Sequence, residues 1–416
     1  MGSSMEPRRV AEIMLSWLGL DLVSCAELQT LWAGYGHICA LQARTARDDG
    51  TGGTRRQRVG GGEPEEGMFH LVLKIISPPP ARHGDEGHLR KMLSYEVEQV
   101  FYDQVAPALG HDVAVAACLA STWGMRERAA ADGLAGLTAT IMTDLRLEFP
   151  VAGAKRALLT PRQVHASLEW LARFHGGSWR WLPRDLDTFL LPPLEEAQRR
   201  GRRGGGSGGA RSLWLNGGYT YLATRRSEYA CLAEDGSSEW SAAFCAPARG
   251  SCRSVAEQVA DFLRPSGRPF ETYIHGDVKS ENLFSTAAGD RVAFFDFQYT
   301  GLGLGVCDLA KLFTCAVPPD MLASSASAPP DELPMGHGER SLLEQYRGIL
   351  LGRRPEGHGP ECYAWDDFCR HWEAALVDWC RFQASWGFWG NTEWLQARVR
   401  SILKDQGWRE WLQRQV

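Results

Sequence analysis

The chain has 416 residues, 44% hydrophobic and 23% charged, which are ordinary proportions for a globular protein with room for two or three core-forming units. A net charge of −5 and a pI near 6.2 speak against a nucleic-acid partner held by general charge. The 11 cysteines contain no C-x-x-C pair, so neither a zinc knuckle nor a redox motif is supported, and reduced thiols in a cytoplasmic compartment are expected. No apolar run approaches the roughly 18 residues of a membrane span, and the start, MGSSMEPRR, has no apolar core of a secretory signal.

Residues 8–18 predict a short helix with Val10, Ile13, Met14 and Trp17 on one face. Leu28–Trp32 and His37–Arg44 read as strands joined by Ala33-Gly34-Tyr35-Gly36, either a plain hairpin turn or a loop whose glycines let backbone amides approach phosphates. Residues 46–67, rich in Gly, Arg and Glu, offer almost nothing to bury and are expected to be a disordered insertion. Phe69–Ile76 reads as a strand with Lys74 inside its apolar run, a snorkelling residue or an ammonium aimed at phosphates.

Residues 88–109 carry a helical stripe of Leu89, Leu93, Val97, Val100 and Phe101, with Glu96 and Glu98 flanking it on opposite sides. Periodicity leaves open which glutamate faces Lys74. Asp112–Leu119 and Leu137–Met142 complete an expected five-stranded antiparallel sheet carrying one helix, and Thr143-Asp144-Leu145 would cross into the second part. From Thr160-Pro161 the pattern turns helical, with His175 as a packed, hydrogen-bonded histidine on the apolar face. Residues 199–211 and 316–340 are expected to be flexible loops. Near the end, Phe368, Trp372, Ala375, Trp379, Phe382 and Trp386 form a helical stripe, broken at Gly387. Trp386 and Trp389 beside the break are core residues or a pocket wall.

The most informative stretch is residues 272–313. Apolar Tyr273-Ile274 leads into His275-Gly276-Asp277-Val278-Lys279-Ser280-Glu281-Asn282, and apolar Val292–Phe295 leads into Asp296-Phe297-Gln298. An Asp and an Asn five residues apart, then an Asp ending a strand-like run, suit phosphoryl transfer: one carboxylate orients the attacking hydroxyl, while an amide oxygen and a second carboxylate hold a metal on the phosphates. With Lys74 in its strand, Ser94–Tyr102, Asp308-Leu309-Ala310 and the segment from Arg381 to Asn391, the chain resembles protein-kinase-like small-molecule phosphotransferases. These are the aminoglycoside phosphotransferase, choline kinase and ecdysteroid-kinase-like (CHK-kinase-like) proteins.

The resemblance implies an α+β, bilobal protein-kinase-like fold, with an N-lobe over 1–142 and a mostly helical C-lobe over 143–416. It implies an ATP- and Mg²⁺-dependent kinase acting on a hydroxyl of a small molecule. Asp277 would orient that hydroxyl, and Lys279 would sit near the γ-phosphate. Asn282 and Asp296 would bind Mg²⁺. Lys74 would meet the phosphates, paired by Glu98, and Met142, Thr143, Asp144 and Leu145 would hold adenine. His275 and Asp308 would be structural. Two features depart from the protein-kinase pattern: there is no strict glycine-rich motif, and Gln298 stands in place of glycine. Asp378, Trp386 and Trp389 would suit a cationic amino alcohol or a flat apolar alcohol. A non-catalytic nucleotide-binding scaffold is the alternative. A protein kinase is disfavoured, because only 12 positions separate Asp296 from Asp308, too few for an activation segment.

Overall fold

The computed structural model describes residues 5–46, 67–79, 85–202, 212–248, 250–323 and 330–416. The insertion expected over 46–67 lies almost wholly outside these. The chain groups into two compact units, one of Met1–His88, Gln99–Ala108 and Ala116–Leu147, the other of Leu89–Glu98, Leu109–Val115 and Glu148–Val416.

The first unit is built on a five-stranded antiparallel sheet of β1 (Leu20–Thr30), β2 (Gly36–Thr45), β3 (Met68–Ile76), β4 (Cys118–Ser121) and β5 (Thr138–Thr143), in the order β1-β2-β3-β5-β4. Alternate residues of the central strands, Leu71, Leu73 and Ile75 among them, meet Val10, Ala11, Met14 and Leu15 of α1 (Pro7–Ser16) in one core. β1 starts eight residues before the expected Leu28. Its outer residues are exposed and two bulges break its alternation, so the pattern that marks a strand is blurred at this edge. The turn after β1 ends at Gly36, whose φ is +150° and where a Cβ would lie 1.9 Å from the Ile75 carbonyl oxygen, so only glycine fits. A short α3 (Arg126–Ala131) links β4 to β5.

Two expectations shift around α2 (Glu86–Val100). The helix was expected to run to 109, but it gives way to a wider turn over Phe101–Val105 and a tight turn over Ala106–Ala108, where Pro107 has no N–H to continue the ladder. The strand expected over Asp112–Leu119 is only Cys118–Ser121. Upstream, the Asp112 and Ala114 carbonyls accept from Arg173 (3.2 Å) and Trp170 (2.9 Å) side chains instead of a neighbouring strand.

The second unit is mostly helical, which makes the protein the expected α+β class. α4 (Pro161–Ser178) opens with a capping box in which Thr160 and Gln163 satisfy each other's backbone amides. α5 (Pro193–Arg202), α6 (Arg226–Glu234), α7 (Glu239–Cys245) and α8 (Val255–Leu263) follow. The start of the stretch expected to be a flexible loop is instead helical: Arg199 and Arg200 belong to α5 and pair with Glu196, and Arg200 also reaches Glu96 at 2.9 Å. The rest of that stretch, 203–211, lies outside the described residues.

Two small sheets hold the central stretch. β6 (Val151–Ala152), β8 (Leu283–Ser285) and β9 (Val292–Phe294) form one, and β7 (Glu271–Ile274) pairs with β10 (Gly301–Leu304) in the other. α9 (Val306–Cys315) and α10 (Pro319–Leu322) follow directly, then α11 (His337–Gly352), α12 (Trp365–Trp386), α13 (Thr392–Lys404) and α14 (Gln406–Gln415). The loop expected over 316–340 is thus partly helical, with Ala316, Val317 and Leu322 buried, and its 324–329 lie outside the described residues. The aromatic stripe of α12 is buried from Phe368 to Phe382, whereas Trp386 ends it 57% exposed. No helix of the described residues is long and apolar enough to cross a membrane.

Candidate active site

The loop after β7 is suspended from one buried carboxylate. Asp308, on the first turn of α9, accepts the backbone N–H of His275 at Oδ2 (2.7 Å) and that of Gly276 at Oδ1 (2.9 Å). His175 Nε2 also meets Oδ2 at 3.1 Å, and its Nδ1 pairs with the Tyr346 hydroxyl at 2.7 Å. All of these groups are buried. Burial alone would raise the Asp308 carboxyl, but the His175 hydrogen bond and the positive Lys311 nearby hold it below its ordinary value. The carbonyl of Gly276 accepts from the Lys311 ammonium, one helical turn on from Asp308. Both polar groups of the Gly276 backbone are therefore gripped by side chains of α9.

His275 fixes the other side of the loop. Its Nε2–H donates to the Phe295 carbonyl (2.9 Å), leaving Nδ1 to accept the Asp277 backbone N–H (3.3 Å). Burial pushes its pKa down, which matches a neutral ring with one donor and one acceptor. Gly276 takes φ +83°, and a Cβ there would lie 2.4 Å from the Tyr299 carbonyl oxygen and 2.6 Å from the Gly218 nitrogen. The loop, Tyr299 and the segment around Gly218 are thus in mutual contact.

These supports leave the Asp277 side chain within a small polar cluster. Asn282 Nδ2 donates to both the Asp277 carbonyl (2.9 Å) and its Oδ2 (3.0 Å), and Lys279 Nζ lies 3.0 Å from the same oxygen. Burial would lower the Lys279 ammonium, yet the Asp277 carboxylate keeps it above its usual value. Both bonds fall on Oδ2, and among the described residues Oδ1 takes none. The Asn282 carbonyl accepts from Phe295 N–H at 3.0 Å, which brings Asp296 beside this cluster. Asp296 has φ +66° and ψ +58°, a left-handed conformation uncommon outside glycine.

The Asn282 amide nitrogen is spent on Asp277, so its oxygen faces elsewhere. An amide oxygen and a carboxylate are the hard donors that suit Mg²⁺, which takes one or two protein ligands and completes its shell with water and phosphate. No three His, Cys, Asp or Glu side chains converge on a metal position among the described residues, and such an ion needs no such cage.

Other expected site residues sit as follows. Lys74 lies in β3 opposite Ile38 and Thr140, and Glu98 is buried in α2. Glu96 is engaged by Arg200. Met142 and Thr143 close β5, where Thr143 exchanges backbone and side-chain bonds with Ala117, and Asp144 is clasped by Arg146 at 2.8 and 2.6 Å. Asp378 is met by the buried Arg381, which also donates to the Thr220 carbonyl at 2.7 Å. Trp389 packs edge-on against Trp379 and Phe382, and the Trp386 ring lies under the Arg225 guanidinium at 5.0 Å.

Sequence reasoning did not single out Lys311, Tyr219, Arg90 or Arg225. The Asp308–Lys311 spacing of one helical turn was the available signal for the first. For Tyr219 it was the Gly217-Gly218 pair before an aromatic residue.

The sequence profile of the phosphotransferase enzyme family matches residues 70–326. The chain belongs to that family. It is an enzyme that transfers a phosphoryl group to hydroxyl acceptors, and the loop after β7 and Asp296 lie inside the matched region. No curated protein matches the chain in sequence. Among solved structures it is similar to a macrolide 2'-phosphotransferase from Brachybacterium faecium (13% identity, 98% of this chain and 97% of that chain covered, TM-score 0.41). It is also similar to a choline kinase from Streptococcus pneumoniae (11%, 97% and 98%, 0.35) and an ethanolamine kinase from Plasmodium vivax (10%, 98% and 86%, 0.37).

Proposed function

We propose that the protein is an ATP- and Mg²⁺-dependent kinase that transfers the γ-phosphoryl group to a hydroxyl of a small molecule. The observation that carries this reading is the Asp277 carboxylate, with Oδ2 tied to Asn282 and Lys279 and Oδ1 left for a hydroxyl hydrogen. In the step itself the acceptor oxygen bonds to Pγ. The bond from Pγ to the β,γ-bridging oxygen breaks, its electron pair leaving on ADP, and the hydroxyl proton passes toward Asp277 Oδ1. Catalysis of this kind is positioning plus charge stabilisation. Asn282 and Asp296 are the side chains that would hold Mg²⁺, which when bound neutralises charge on the β- and γ-phosphates. Lys279 places a cation beside the transferred group. Lys74, Glu98 and the Met142–Leu145 run serve the nucleotide, and His275 and Asp308 serve the loop. The step from Asp296 to α9 is taken by one tight turn and β10, which supports a small acceptor over a peptide.

Acceptors can be found by incubating the protein with ATP and a metabolite extract and looking for gained phosphate by mass spectrometry. With that acceptor, Asp277→Asn is expected to lower turnover roughly 10³-fold while ATP binding persists, in line with the loss of a positioned general base. Turnover within tenfold of wild type in this variant would defeat the assignment.

A further inference from the structure

The acceptor's charge can be argued from the groups beside Asp277. Tyr219 follows Gly218, whose N–H donates to the Tyr299 carbonyl (2.9 Å), and its ring packs against Tyr299 at a 37° tilt with centroids 4.4 Å apart. The Gly218 backbone lies against Gly276, the residue before Asp277, where a Cβ would come within 2.6 Å of the Gly218 nitrogen, and the Asp277 carboxylate, with burial second, pushes the Tyr219 phenol above its ordinary pKa. Two guanidiniums lie over it, Arg225 at 5.3 Å and Arg90, from α2, at 5.9 Å. They are near enough to each other that Arg225 is held below its usual pKa, first by burial and then by the charge of Arg90.

The two arginines differ in their partners. Arg225 donates to the Tyr219 carbonyl (2.9 Å) and to Glu228 (3.1 Å). Arg90 has no carboxylate partner among the described residues, and its buried Nε has no hydrogen-bond acceptor there. A cationic acceptor would find little here. The carboxylate of Asp378 is already matched by Arg381, and Arg225 already covers the faces of Phe382 (5.6 Å) and Trp386 (5.0 Å). At these groups an ammonium would meet a carboxylate and ring faces that the protein's own arginines already engage.

We propose that the acceptor is an anionic hydroxy compound whose carboxylate or phosphoryl group is held by Arg90 and Arg225 beside Tyr219 while its hydroxyl meets Asp277. The inference rests on the kinase reading for the hydroxyl and on the arginine pair for the anion. Guanidinium forks match planar carboxylates and phosphoryl oxygens in two-point contacts, and an anion relieves the repulsion between two like charges. Arg90 supplies the uncompensated charge, so it discriminates most between anionic and neutral acceptors.

The test uses the full chain and acceptors of similar size: glycerate, gluconate and glycerol 3-phosphate against choline, ethanolamine and glycerol. Phosphoryl transfer is measured from labelled ATP, and binding of the same six compounds is measured by calorimetry with a non-hydrolysable ATP analogue, which needs no turnover. Comparing the carboxylates with glycerol 3-phosphate separates the two sources of negative charge. The anions are expected to bind and to be phosphorylated. Arg90→Gln, on a part-exposed helical position, is expected to weaken them roughly 10- to 100-fold in KM and Kd, as lost charged hydrogen bonds do, with Arg90→Lys intermediate and nucleotide affinity unchanged. Preference for the amino alcohols, absence of anion binding, or anion binding indifferent to Arg90→Gln overturns the proposal. Arg90-dependent anion binding without any transfer would uphold the anion site and remove the kinase reading instead.

Discussion

Asp308 shows how one residue can govern a loop it does not belong to. Its two oxygens accept consecutive backbone amides, and a buried histidine holds one of them in place. An amide at this position would keep the size of the side chain but present N–H₂ to one of three groups that also donate. Asp308→Asn is therefore expected to cost about 1.5–3 kcal/mol, the usual cost of losing a hydrogen bond to a charged group. It should also lower kcat far more than it changes nucleotide affinity, because the displaced element is the backbone that aims Asp277. The pH dependence gives a separate check. The folded carboxyl titrates below its ordinary value, so its stabilisation is present above pH about 4 and lost as pH falls through the folded pKa. Melting curves of wild type and Asp308→Asn should differ at pH 7 and converge toward pH 3. A gap that persists unchanged in acid would mean that the carboxylate charge is not what holds the loop.

Among the elements, α12 carries two titratable groups of opposite tendency only two residues apart, the buried His371 and the part-buried Glu373, which point to different sides of the helix. His371 is pushed down to about 3, first by burial and then by Arg268. Glu373 is pushed up to about 7, chiefly by burial. For His371 the unfolded chain takes a proton first, so its stabilisation is complete above pH 6.5 and declines as pH falls toward 3. For Glu373 the folded helix takes the proton first, so its stabilisation is complete below pH 4.5 and is lost as pH rises through 7. Each slope approaches about 1.4 kcal/mol per pH unit where one state is charged and the other is not. Unfolding curves should show Glu373→Gln flattening the decline between pH 5 and 7, and His371→Gln flattening the loss between pH 6 and 4. Parallel curves for wild type and variant would refute the assignment for that group. Neither group was visible in sequence, since their shifts depend on burial by other helices. The grouping of Asp277, Lys279 and Asn282 was legible because these polar residues lie close together in the chain between two apolar runs. The strand placed over Asp112–Leu119 was not, because its alternation serves bonds from Trp170 and Arg173, more than fifty residues on. Arg225 and Arg381 grip the neighbouring carbonyls of Tyr219 and Thr220 from separate elements, a convergence that no local pattern encodes.

On the scale of the molecule, the family match ends at residue 326, yet the chain beyond it is built into the support of α9, which holds the loop after β7. Asn391 Nδ2 donates to the Phe313 and Val317 carbonyls (2.8 and 2.7 Å) and so ties off the end of α9, whose start carries Asp308 and Lys311. Trp372 of α12 packs edge-on against Phe313 of the same helix, with centroids 5.0 Å apart. Trp372 is held in turn by a fully buried carboxylate: Glu339 of α11 accepts its indole N–H (2.8 Å) and the Nε of Arg398 of α13 (2.8 and 3.1 Å). Arg398 reaches on to the Leu333 carbonyl at 2.9 Å. Three helices beyond the matched region thus meet at one ion pair directly behind α9. Removing its carboxylate leaves a buried guanidinium and an indole N–H without their acceptor, and breaking a buried pair this way costs about 3–5 kcal/mol. Glu339→Ala is expected to lower the melting temperature by roughly 10 °C for a unit of this size. A Glu339→Leu, Arg398→Met pair, which removes both charges, should recover most of that loss, since well-packed apolar replacements of buried pairs are often neutral. If the double variant stays as unstable as the single one, the helices are joined by the hydrogen bonds to Trp372 and Leu333 rather than by charge matching. If Glu339→Ala lowers kcat while the protein remains folded at the assay temperature, the C-terminal helices act on the catalytic loop through α9, a coupling the contacts at Phe313 and Asn391 lead us to expect.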